Sequence, residues 1–122
     1  MNRLLLLTAI VEAATGLALI ATPNVVVRLL LGSEISGASI PLGRVAGLGL
    51  LSLAVACWHR GNVSTGTEPA LRAMLLYNAL VALYLVWLGV TTEWVGPLLW
   101  PAAALHGALT MVLAKQAWNS LK

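Results

Sequence analysis

Charge is the scarcest property of this sequence: 9% of its 122 residues are charged, against 60% that are hydrophobic. A soluble domain carries about a quarter charged residues, so water is not the main solvent of this chain. A helix bundle in water also needs a charged outer face on each helix, and none of the apolar stretches here has one. Phenylalanine is absent and aromatics reach 6%, which leaves a base-stacking surface or a pigment cage without support. The single cysteine, Cys57, cannot form an internal disulfide, and no CxxC or CxxCH run offers an iron–sulfur or attached-haem site. Beside Trp58 in an apolar run, it reads as a packing residue. The net charge of +3 is carried by residues that flank apolar stretches and form no patch, so nucleic acid is not an expected partner. There is no low-complexity tract and no internal repeat, and residues 1–122 read as one domain.

What the chain has is four long apolar runs, approximately Leu4–Ala21, Ile40–Trp58, Ala73–Val90 and Val95–Ala114. Each is 18 to 20 residues long, close to the ~20 that cross ~30 Å of hydrocarbon as a helix. The first run is too long for a signal-peptide core, and Ala21-Thr22-Pro23 is a poor cleavage site, so it reads as a retained helix. With both termini on one side, Arg3, Arg60, Arg72, Lys115 and Lys122 share that side, and the other receives Arg28 with Glu34 and Glu93. That bias predicts cytoplasmic termini and a lipid bilayer as the main partner. Trp58, Trp87, Trp94, Trp100 and Trp118 fall near span ends, as interfacial anchors do.

The segment after the first span is too apolar to float in water. Thr22-Pro23-Asn24 starts a helix, Val25 to Leu31 continue it, and Gly32 stops it. The expectation is a short interfacial helix over residues 24–31, with Arg28 reaching the headgroups. The fold class is therefore all-α, a polytopic membrane four-helix bundle with this interfacial helix after helix 1. Thr67-Glu68-Pro69 is a start for the third span, with Thr67 capping. The very short turn Thr91-Thr92-Glu93 requires the third and fourth spans to be an antiparallel hairpin. Pro97 is expected in the first turn of the fourth helix and Pro101 one turn further in, where it would kink it. Gly43-Arg44-Val45-Ala46-Gly47 is a GxxxG pattern for close packing, either within the bundle or between copies.

Each span holds one strongly polar residue: Glu12, Arg44, Asn78 and His106. Measured from the cytoplasmic ends, Glu12 and His106 lie ~12–14 Å deep and Asn78 ~8–11 Å, while Arg44 is higher at ~20 Å. Helical spacing adds Thr8 and Thr15 beside Glu12, Thr110 beside His106, and Tyr77 one position round from Asn78. If Glu12 and Arg44 approach within ~4 Å they form a buried ion pair, because a lone carboxylate at that depth is expensive. Metal is not expected, since Glu12 and His106 supply only two ligands. A bis-His haem is excluded within one chain, because His59 sits ~14 Å from His106 in depth. No Ser or Cys stands near His106 for nucleophilic catalysis, so the chain is not read as an enzyme and no cofactor is expected. A Glu and a His in a low-dielectric site are relay groups for protons.

Ala9-Ile10-Val11-Glu12-Ala13 resembles the proton- and drug-binding first helix of the small multidrug resistance transporters over about fifteen residues. The sequence departs from that family at Arg44 and His106, and the characteristic Trp and Tyr of the family's third helix are not matched here. Over most of its length the chain is similar to the DoxX-like group of small four-helix bacterial membrane proteins. That likeness rests on the Gly16…Pro23 exit, the Val25–Leu31 segment and Gly43-Arg44-Val45-Ala46-Gly47. It implies the fold and a bacterial inner membrane, and transfers no site residue. Two functions stand open. One is small-molecule or proton-coupled binding and transport at Glu12, Arg44, Asn78 and His106. The other is a non-catalytic accessory or scaffold subunit, as a homo-oligomer or with a membrane-protein partner, whose polar centre is structural. An accessible pocket touching Glu12 and His106 favours the first, and direct contacts sealing them favour the second.

Overall fold

Apolar runs of this length leave their backbone polar groups no partner but each other, and the helix is the local way to pair them. The computed structural model describes residues 3–58 and 67–122, and the side chains of all but Thr67 and Glu68 among these. These residues form five helices: α1 (Arg3–Ala21), α2 (Pro23–Leu31), α3 (Ser39–Trp58), α4 (Thr67–Thr91) and α5 (Leu99–Ser120). By length and composition three are able to cross a membrane: Arg3–Ala21, Ser39–Trp58 and Pro69–Thr91. The chain is thus a helical membrane protein. Helix α5 is long enough at 22 residues, but its last turns carry Lys115, Gln116 and Asn119. The expected depth of His59, the side expected for Arg60 and the expected side-chain cap at Thr67 lie outside the described residues and side chains.

The breaks follow from residues that cannot continue a helix. Proline disfavours the helical conformation of the residue before it, and Thr22 takes φ −137° and ψ 63° between α1 and α2. Helix α2 therefore begins one residue before the expected 24–31, at Pro23. It ends at Gly32, whose φ of 69° is left-handed and whose N–H donates to the Arg28 carbonyl. The carbonyls of Leu29 and Leu30 next accept from the N–H groups of Leu98 and Gly96, at 2.9 and 3.0 Å. These two bonds strap α2 to the loop between α4 and α5. A side chain at Gly96 would run into the Leu29 carbonyl, so that loop needs glycine there.

The start of α5 corrects an expectation. The helix begins at Leu99 and not near Val95, so Pro97 precedes it and Pro101 occupies its first turn. The first four N–H groups of a helix have no intrahelical acceptor, so Pro101 removes no bond and gives no reason for a kink.

Helices α1 and α3 pack antiparallel at two glycines. A Cβ on Gly47 would lie 2.6 Å from the Gly16 carbonyl, and one on Gly16 would lie 2.8 Å from that of Gly47. Part of the GxxxG pattern thus packs within the chain, and Gly43 faces Pro23 at 3.0 Å. Helices α4 and α5 form the second antiparallel pair, and the two pairs meet over a core. One core cluster draws Leu5, Ala9, Ala54, Cys57, Leu71, Met74, Leu109 and Leu113 from all four long helices. A second joins Leu85, Leu88, Leu99 and Ala103 under Leu30 and Leu31 of α2. The outer surface is apolar too: Leu42, Val90 and Met111 are 69%, 73% and 74% exposed, as in a protein solvated by lipid tails.

Candidate functional site

Between the two apolar clusters lies a polar layer. Glu12 follows Ala9 by one turn of α1, Asn78 follows Met74 by one turn of α4, and His106 lies between Ala103 and Leu109 on α5. Glu12 is 1% exposed, Asn78 and Thr8 are fully buried, and Tyr77, His106 and Thr110 are half-buried. Sequence spacing placed Glu12, Asn78 and His106 at nearly one level, and in the structure Asn78 and His106 are in direct contact.

Asn78 sets the geometry of the histidine. Its Nδ2 donates to the Met74 carbonyl at 2.9 Å, and a carbonyl can only accept, so the amide has one sensible orientation. That turns Oδ1 toward His106 Nδ1, at 2.7 Å, and Nδ1 must be the protonated nitrogen of a neutral ring. Nε2 is left as an acceptor. The Tyr77 ring meets the imidazole edge-on, with centroids 5.9 Å apart and planes at 80°. The Tyr77 hydroxyl interacts with the Glu12 carboxyl group. Tyr77 thus touches both groups, Glu12 through its hydroxyl and His106 through the edge of its ring.

The threonine protons are already used. Thr8 donates to the Leu5 carbonyl, Thr15 to Val11 and Thr110 to His106, at 2.7–2.9 Å. Each hydroxyl proton satisfies its own helix, which is the habit of threonine in apolar surroundings. Two other polar atoms stand without a hydrogen bond among the described residues. Glu12 Oε1 is buried without a hydrogen-bond partner, and His106 Nε2 has none among the described residues.

Arg44 is elsewhere, and the approach that an ion pair with Glu12 required is not made. The Arg44 side chain is exposed near the start of α3, against the first turn of α2, while Glu12 is sealed in the interior. Among the described residues the ion pair that forms is Arg28–Glu34 at 3.7 Å, on the surface. The physical reason is the register of α3. Gly47 locks against Gly16, and Arg44, three residues nearer the helix start, is carried to the end of the bundle.

Tyr77 has a larger part than its sequence position suggested. Adjacency to Asn78 was the available signal, but only the relative rotation of α1, α4 and α5 shows that its ring bridges Glu12 and His106. Cys57 packs in the core with its thiol 3.9 Å from the Ala70 carbonyl. A cleft of about 420 Å³ opens between Ala13, Leu51, Ala54, Val55 and Trp58; its wall includes the residue after Glu12 but neither Glu12 nor His106. Among the described residues no three metal-ligating side chains converge. Comparison of the chain with protein-family models, with curated proteins and with solved structures gives no match.

Proposed function

We propose that this chain is a four-span protein of a bacterial inner membrane whose polar layer handles protons in the binding or transport of a small solute. In this reading α5 is the fourth span, α2 lies on the outer membrane surface, and both termini are cytoplasmic. The five-to-one bias of basic residues and the likeness to DoxX-like proteins support that placement. The observation that carries the function is Glu12, a buried carboxyl group with an unpaired Oε1 and no cationic neighbour among the described residues. A carboxylate in such a place needs a cation to balance it, and the proton is the one that requires no cavity. Glu12 then acts as the exchanging carboxyl group. The Tyr77 hydroxyl is the polar group beside it, and His106, with Nε2 free and Nδ1 held by Asn78, is the second proton-accepting group of the layer.

Proton entry into liposomes containing the purified protein and a trapped pH-sensitive dye tests this reading. An acid jump with valinomycin present should acidify the lumen faster than in empty liposomes, and Glu12→Gln should return the rate to that of empty ones. The scaffold reading is favoured by one observation: Glu12 and Asn78 are sealed, and the cleft at Ala13 does not reach them. It expects no proton flux, together with a stoichiometric membrane-protein partner in native mass spectrometry.

A further inference from the structure

Arg44 is the strongly polar residue that the polar layer leaves out. It stands sixth in α3, about 8 Å along the axis from the helix start. Its side chain lines a cavity of about 340 Å³ between Thr22, Pro23 and Asn24 on one wall and Ile40 on the other. Among the described residues no acidic group pairs with it. A neighbouring cavity of about 210 Å³ shares Asn24 and holds Arg28 with Glu34. Two arginines against one glutamate leave this corner with one positive charge in excess.

A guanidinium at the edge of an apolar span reaches toward the headgroups, and its planar fork fits the oxygens of a phosphate. One turn further along α3, on the face of Arg44, comes Leu48, with Val45 beside it; they are 54% and 61% exposed. The corner thus has two parts, a cationic fork with a polar amide above and an apolar strip below. A free phosphate uses only the upper part. A phospholipid uses both.

We infer that this cavity seats one anionic phospholipid, with Arg44 on its phosphate, the Asn24 amide alongside, and an acyl chain against Leu48. The inference rests on α2 lying at the bilayer surface, which belongs to the reading above. Native mass spectrometry in mild detergent, titrating short-chain phosphatidylglycerol against phosphatidylcholine, reads it directly. Phosphatidylglycerol should be retained in preference, and Arg44→Gln should weaken it about fivefold, the effect of one basic residue at an anionic surface. Arg44→Lys should keep most of the preference, and Lys122→Gln at the far end of the bundle should change nothing. Equal retention by the native protein and Arg44→Gln overturns the site. So does complete displacement by inorganic phosphate, which would make the ligand a free anion. If Arg44→Gln cannot be recovered, Leu48→Asn serves instead, and unchanged lipid affinity there also overturns it. A nitroxide at Leu29→Cys separates the two readings. Headgroup depth without lipid selectivity removes only the lipid site, while a fully aqueous label removes the surface placement of α2.

Discussion

Glu12 and Asn78 are equally buried and meet opposite conditions. Both amide groups of Asn78 are satisfied, by Met74 and His106, whereas one oxygen of Glu12 is not. Truncating Asn78 to Ala should therefore cost about 1–2 kcal/mol, because the His106 Nδ1–H loses its acceptor in the interior. Thermal unfolding in detergent checks this, and a change within noise would mean that the bond adds nothing. For Glu12 and Arg44 the expected result is additivity. Glu12→Gln and Arg44→Leu act on groups that do not touch, so the double variant should match the sum of the singles to about 0.5 kcal/mol. Recovery of stability in the double variant would restore the ion pair that the packing of α3 denies.

At the scale of the helix, the glycines of α3 behave differently although the sequence writes them alike. A Cβ at Gly47 meets a backbone carbonyl and the Leu19 side chain, whereas one at Gly49 meets nothing within 4 Å. Backbone atoms cannot move aside as the tip of a side chain does. Gly47→Ala should thus destabilise by about 1–3 kcal/mol through overpacking, and Gly49→Ala should be neutral or better, since alanine is the stronger helix former. Melting temperatures of the two variants decide it, and equal losses would show that α1 and α3 do not cross where the glycines meet. Helix α2 is set by a different device. Its two backbone bonds to residues 96–98 tie the first pair of helices to the second, so α2 is held at both ends.

For the molecule as a whole, the open quantity is how often the chain crosses the bilayer. Helix α5 decides it, since three other helices already qualify by length and composition. With four crossings the C-terminus lies opposite the α2 side; with three it lies on that side. Cysteines introduced at Ser33 and Ser120, both exposed, in a Cys57→Ala background distinguish these cases by labelling with a membrane-impermeant reagent. Ser33→Cys should react from the periplasm and Ser120→Cys only after the membrane is opened. Reaction of both in intact cells would remove the fourth span.

The sequence alone determined the helices, because an apolar run with no water has only one local way to pair its backbone groups. It likewise determined where they stop, since Pro23 and Gly32 act through their own dihedral angles. It also placed Glu12 and His106 at one depth with Asn78 close to it, because depth along a helix is a count of residues. Rotation and register between helices are not local, and they decided the rest. The Gly16–Gly47 crossing fixed how far α3 slides along α1, and so carried Arg44 away from Glu12 to the end of the bundle. The rotation of α4 against α1 and α5 set Tyr77 between the carboxyl group and the imidazole. The loop after α4 also has a tertiary role: Gly96 and Leu98 give their N–H groups to the last carbonyls of α2, and α5 starts at the next residue, Leu99.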